Sequence, residues 1–169
     1  MESIIDSSFN LTDDKWNLYY HLPQDPDWTK NGYKIIMSNI NYLEEVNSLC
    51  KHINENIIKS CMLFVMKDNI FPTWEDPCNK NGGCFSYKVP NKQVFNVWNN
   101  LFKYLCSNTL SNNTNASKHI NGITISPKKN FCIVKIWLDC IEYQDPQIIK
   151  NIDFLNSNGC IFKKHEPES

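Results

Sequence analysis

Four residues in this chain have the type and setting for ligand chemistry. Trp28 and Trp74 fall in polar, turn-rich stretches, QDPDWTKNG (24–32) and FPTWEDPCNKNGG (71–83). A loop tryptophan commonly serves as a packing anchor, but three features point elsewhere. Both loops are otherwise polar. Trp74 is followed directly by Glu75, whose carboxylate can only accept hydrogen bonds. In the stretch 131–139, alternation puts Val134, Ile136 and Leu138 on one side and Ile133, Lys135 and Trp137 on the other, so a large indole lies on the non-core face of a strand. Two indoles and a carboxylate can form a slot for a flat, cationic ring with adjacent N–H donors. The rings stack and supply cation–π attraction, and the carboxylate accepts paired N–H bonds.

A 7-methylated guanine has this chemistry. Methylation makes the ring cationic, and N1–H and N2–H₂ offer parallel donors to one carboxylate. Stacking contributes about 1–3 kcal/mol and desolvated cation–π attraction roughly 2 more, enough to prefer the charged base over plain guanine.

Other chemistries find less support. The eight cysteines contain no CxxC pair, and no His stands at zinc-finger distance from the closest spacing, Cys78 to Cys84. No metal or cofactor is expected. Nothing local marks a cysteine nucleophile partnered by His52, His119 or His165. The acidic residues are scattered rather than clustered, which disfavours an enzyme acting on nucleotides.

The 169 residues suit one domain, and 17 Lys (there is no Arg) against 18 Asp+Glu exclude a strongly basic nucleic-acid clamp. Every cation is therefore a point charge without a bidentate fork. No apolar run approaches a membrane span, and MESIIDSSFN does not read as a secretory leader. A reducing, cytoplasmic setting is expected, without disulfides. The 24 Asn, 19 Ile and single Ala reflect an AT-rich genome, suiting an AT-rich eukaryote or a virus infecting one.

The elements that must carry these residues follow from periodicity. Strands are predicted at 15–21, 33–39, 61–67, 84–89, 122–126, 130–140 and 159–164. A helix from 42 to 53 carries Leu43, Val46, Leu49 and Ile53 at helical spacing, with Glu44 and Glu45 in its first turn. A second, within 89–106, carries Val94, Val97, Trp98, Leu101, Phe102 and Leu105. A third, 145–156, would turn Ile148, Ile149, Ile152 and Leu155 inward. Residues 107–122 have the composition of a flexible loop. Together these predict an α+β domain: a mainly antiparallel sheet of about seven or eight strands, three helices on one face, and an open opposite face. A short arm (1–14), the domain (15–165) and a tail (166–169) are the expected divisions.

At this point the chain resembles the cap-binding translation initiation factor 4E family, from Trp16 to His165. The most specific match is the 71–83 segment, similar to the family's I-x-P-x-W-E-D followed by N-x-x-G-G. W-x-L-Y-Y (16–20), Trp28, L-E-E (43–45), V-W (97–98), K-I-W (135–137) and Phe162-x-x-His165 support it. The resemblance implies a cupped sheet with the mRNA cap in its concave face. Trp28 and Trp74 would sandwich the methylguanine, Glu75 would take the N1 and N2 protons, the Trp74 backbone N–H would meet O6, and Trp137 would touch the N7 methyl. Trp16 and Trp98 would be core or back-face residues.

The sequence departs from the family at both surfaces. Under the triphosphate, Ile133 and Cys84 stand where the family is basic, Lys128 replaces an Arg, and Met62 replaces that Arg's acidic partner. Lys128, Lys135 and Lys163 are the main candidates for phosphate, with Lys129 and Lys164 beside them. The family's C-terminal phosphate-covering loop has no counterpart before Ser169. On the dorsal surface, comprising Leu43, Glu44, Asn47, Trp98 and Asn99, the family's helix Trp is Asn47 and an apolar contact is Asn99. The family's H-P-L-like stretch reads Asn10-Leu11-Thr12. The expectation is a cap-binding protein of translation initiation, with capped mRNA and a scaffold protein with altered dorsal contacts as partners. The alternatives are a competitor that represses translation and a scaffold that has lost simple cap binding.

Overall fold

The structure is a computed structural model, and it describes residues 13–166. The arm assigned to 1–14, including Asn10-Leu11-Thr12, and the tail 166–169 therefore lie almost wholly outside the described residues. All seven expected strands form: β1 Trp16–His21, β2 Lys34–Ile40, β3 Met62–Lys67, β4 Gly83–Pro90, β5 Ile120–Pro127, β6 Phe131–Leu138 and β7 Ile161–Lys164. They make one curved antiparallel sheet in the order β2-β1-β3-β5-β6-β4-β7.

The helices are α1 Leu43–His52, α2 Glu55–Ser60, α3 Val94–Cys106 and α4 Thr114–Ser117. Helix α1 starts where predicted because the Glu45 carboxylate reaches back to accept from the backbone N–H of Tyr42 and Asn41, satisfying donors that open the helix. Helix α3 buries Val94, Val97, Trp98, Leu101, Phe102, Leu105 and Cys106, the apolar stripe read from its spacing. These side chains meet Val134, Ile136 and Leu138 of β6 in one core, so the alternation in β6 assigned its faces correctly.

Two expectations fail. No α-helix forms over 145–156. Pro146–Ile148 makes a 3-10 turn, capped by the Asp145 side chain on the Gln147 N–H, and the chain then runs on irregularly. Its backbone is engaged elsewhere: Ile148 O accepts from Asn112 N at 2.7 Å, Lys150 N donates to Leu110 O at 2.7 Å, and Ile149 bridges Ser111. Phe154 at φ 69 closes off any helical continuation. Ile149, Ile152 and Leu155 are buried all the same. The apolar spacing thus reported burial, while cross-chain pairing decided the backbone. Residues 107–122 are not an open loop either. Asn113 caps α4 through the N–H groups of Asn115 and Ala116, and Ala116, the chain's single alanine, is fully buried.

Candidate functional site

The face opposite the helices is read from the register. Trp137 pairs with Cys84 of β4 and Gly122 of β5. Lys135 pairs with Ser86 and Thr124, and Cys84 pairs with Lys163 of β7. Directly opposed residues share a face, so Trp137, Lys135 and Lys163 lie together on the open side. Trp137 is nevertheless only 9% exposed. It forms a second apolar cluster with Met66, Ile70 and Cys84, and Trp74 packs against it. The Trp137 indole N–H donates to Thr124 Oγ1 at 3.3 Å, which sets the ring's orientation.

The Trp74–Glu75 loop contains no helix or strand, yet hydrogen bonds hold it throughout. Asp76 accepts from the N–H groups of Phe71 and Cys78. Asn79, 0% exposed, donates through its amide to the carbonyls of Phe71 (3.1 Å) and Thr73 (2.9 Å). The Asn121 amide donates to Asn79 Oδ1 (2.8 Å) and Cys78 O (3.0 Å), tying the loop to β5. His165 Nδ1–H donates to Asn79 O at 2.9 Å, and its ring lies 4.7 Å from that of Trp137. Burial, and secondarily the Lys135 charge, hold the His165 pKa below the ordinary histidine range, against the opposing pull of the Asn79 bond. Gly82 lets the loop close onto the sheet, since a Cβ there would stand 1.8 Å from the Leu138 carbonyl oxygen.

Glu75 is exposed and accepts no hydrogen bond or ion pair from the described residues. Its charge adds to burial, the larger cause, in raising the pKa of the Tyr33 hydroxyl. Tyr33 in turn meets Phe71 at 5.0 Å and Trp28 at 6.3 Å, both edge-on. Trp28 itself is 53% exposed. One indole face is covered by the His21 imidazole, stacked at 3.9 Å and 7° from parallel. His21, fully buried, donates through Nε2–H to the Asp27 carbonyl at 2.9 Å. Asp27 accepts from the Thr29 hydroxyl and N–H, which hold its carboxyl below the usual range.

The candidate cations divide. Lys135 and Lys163 flank Cys84, whose thiol is raised by burial and drawn partly back by both ammonium groups. Lys128 lies at the β5–β6 turn, where Pro127 pairs with Cys132. Trp137 and Phe131 are separated by about 20 Å, at about 3.3 Å per residue, so Lys128 is at the far end of this ribbon from Trp137. On the helical face, Glu44 and Asn47 are exposed and Leu43 and Asn99 are half-buried, whereas Trp98 is 1% exposed and belongs to the core. The Asn99 side-chain amide oxygen is buried with no hydrogen-bond partner among the described residues.

Sequence reading identified the aromatic and acidic groups of this face and Asn79 as a motif residue, but it gave Asn79 no role and missed Asn121, Tyr33 and His21. A buried asparagine such as Asn121 carries no local mark in a chain rich in asparagine. The His21 signal was available: it directly follows the aromatic pair Tyr19-Tyr20 and falls on the same strand face as Tyr19.

A curved antiparallel sheet with helices on one face and Trp74, Trp137, Lys135 and Lys163 on or against the other defines the class as α+β. The family model described as Eukaryotic initiation factor 4E matches residues 11–166, and the chain belongs to that family. It is similar to a eukaryotic translation initiation factor 4E homolog of Acanthamoeba polyphaga mimivirus, with 30% identity over 122 residues covering 64% of this chain. The match spans 45% of that relative's length, less than half of it. Among solved structures it is similar to Ascaris suum eIF4E-3 with m7G cap (TM-score 0.66, 19% identity, 77% of this chain and 73% of that one). Schistosome eIF4E complexed with m7GpppG and 4E-BP matches at TM-score 0.67 and 24% identity, over 77% and 72%. Caenorhabditis elegans eIF4E-3 with the 4E-binding protein Mextli matches at 0.67 and 18%, over 76% and 75%. At these identities the likeness to the solved structures is one of fold.

Proposed function

We propose that this chain binds the 7-methylguanosine cap of mRNA and acts in translation initiation in the cytoplasm, by recognition and not by covalent chemistry. The observation that carries the reading is the unpaired Glu75 carboxylate beside Trp74, on a loop whose every turn is braced from behind. Such a carboxylate is free to accept the N1 and N2 protons of a purine held against Trp74. Trp28 supplies the second indole through the face His21 leaves uncovered, and Trp137 closes the floor near the N7 methyl. The similar structures with m7G cap and m7GpppG support the ligand.

Lys135 is two residues from Trp137, about 7 Å along the strand, within reach of a triphosphate attached to the stacked base. Lys163 shares that neighbourhood across Cys84. Lys128 is too distant along the ribbon for the same phosphates and would meet the following nucleotides.

The test is tryptophan fluorescence titrated with 7-methyl-GTP and with GTP, repeated on Trp74→Ala. Methyl-dependent quenching at micromolar concentration or below, lost in the variant, is the expected result. Equal response to both nucleotides overturns cap binding.

The dorsal face favours a second reading of the biological role. Exposed Asn47 and half-buried Asn99 offer polar groups where a docking helix needs apolar anchors. A scaffold partner would then need matching polar contacts, and without one the chain would sequester caps and repress translation.

A further inference from the structure

Outside the cap recess, one cluster of side chains is arranged for a different ligand. His119, Asp139 and Cys140 each present one donor atom, all within 4.8 Å of one another. His119 immediately precedes β5, and Asp139–Cys140 immediately follow β6. Their backbones are clamped by Asp139 N–H donating to His119 O at 2.9 Å, next to the Ile120–Leu138 pair. His119 Nδ1–H donates to Asp139 Oδ1 at 2.7 Å, and the Cys140 sulfur lies within 4.8 Å of a donor atom of each.

We propose that His119, Asp139 and Cys140 form a binding site for a divalent transition-metal ion of the zinc class. Nitrogen, oxygen and sulfur donors together suit borderline-soft Zn²⁺ rather than Mg²⁺ or Ca²⁺, which select oxygen. Tetrahedral bonds of about 2.0–2.3 Å put donor atoms roughly 3.3–3.8 Å apart. The 2.7 Å contact must therefore open slightly and the widest pair close by about 1 Å. With the His119 and Asp139 side chains 37% and 38% exposed, both have room to do so, and solvent supplies the fourth ligand. The ion takes the place of the His119 proton now shared with the carboxylate and of the Cys140 thiol proton. The imidazole keeps its proton by moving it to Nε2, and the thiol loses its own, so one proton is released per ion bound. The expectation of no metal site rested on short Cys and His spacings. These donors lie some twenty positions apart and meet only through the β5–β6 register.

The experiment uses the full chain, stripped of metal under reducing conditions and titrated with Co²⁺ and then Zn²⁺. The expected result is saturation at one equivalent, with sulfur-to-cobalt charge-transfer absorption that Zn²⁺ displaces. Cys140→Ser abolishes that band, and His119→Gln and Asp139→Asn each weaken binding by about tenfold or more. Cys78→Ser, which removes the exposed loop thiol, leaves binding unchanged. Circular dichroism of each variant confirms folding, and Asp139→Asn retains the shape of the site should Cys140→Ser fail to fold. Absence of a saturable band, persistence of the band in Cys140→Ser, or its loss in Cys78→Ser overturns the proposal.

Discussion

The two tryptophan-bearing loops proposed as the walls of the cap site are built differently. Trp74 stands on a loop braced by Asp76, Asn79, Asn121 and His165, and it packs on a cluster with Met66, Ile70, Cys84 and Trp137. Trp28 stands on a turn made of local Asp25–Asp27–Thr29 bonds and presents half its surface to solvent, with His21 behind it. In the first wall, the contacts that hold the site also hold the fold, because β5 and the residues after β7 both anchor on Asn79. In the second, positioning and stability are separable. In the proposed function, the fixed wall would set the ligand's plane and donor register, and the exposed wall would close over it at little cost to the rest of the molecule.

The largest expected effect tests that coupling. Asn79→Ala strips buried partners from Phe71 O, Thr73 O and the Asn121 amide. It should cost about 2–4 kcal/mol in urea denaturation and reduce 7-methyl-GTP affinity at the same time. A variant that lost affinity at unchanged stability would break the distinction between the walls.

Trp28→Ala should show the opposite pattern. Affinity falls by about 5–150-fold, the equivalent of roughly 1–3 kcal/mol of stacking, while stability moves by less than about 1 kcal/mol because the indole is largely exposed. His21→Ala should weaken binding through the mispositioned indole, and His21→Phe, which keeps a flat ring behind Trp28, should recover most of the loss in the same fluorescence titration.

The braced wall should also respond to acid. Burial lowers the His165 pKa in the folded chain, so between that value and the unfolded value of about 6.5 the unfolded chain binds more protons. Stability from this group is complete above about pH 6.5 and falls as pH drops through that window. Denaturation midpoints at a series of pH values should decline there, and His165→Asn should flatten the decline. A steeper fall in the variant would exclude this assignment.

The smallest effects concern the cations. Lys135→Ala should lower 7-methyl-GTP affinity by about 3–5-fold at low salt, and less as ionic strength rises. Lys128→Ala should leave that mononucleotide unaffected and weaken only longer capped RNA. Equal losses for both lysines with 7-methyl-GTP would refute the division drawn along β6.

Much of this was legible in the residues themselves. Alternation in 131–139 separated Val134, Ile136 and Leu138 from Lys135 and Trp137, because side-chain direction in a strand repeats every second residue whatever surrounds it. The α3 stripe and the acidic first turn of α1 were equally local, and Trp28, Trp74 and Glu75 were conspicuous for being apolar or charged among turn residues. Other features depend on residues distant in sequence. The segment 145–156 has helical spacing, but its backbone partners are at 110–112. Asn79 stands in a recognisable motif, but its bracing role exists only once Phe71, Thr73 and Asn121 surround it. His119 meets Asp139 and Cys140 only once β5 and β6 pair in register. The sequence by itself determined which faces are apolar and which side chains carry chemistry, since periodicity and residue type act over a few positions. The tertiary structure alone decided which polar groups meet, because hydrogen-bond and ligand geometry depends on distances in space between residues the chain keeps far apart.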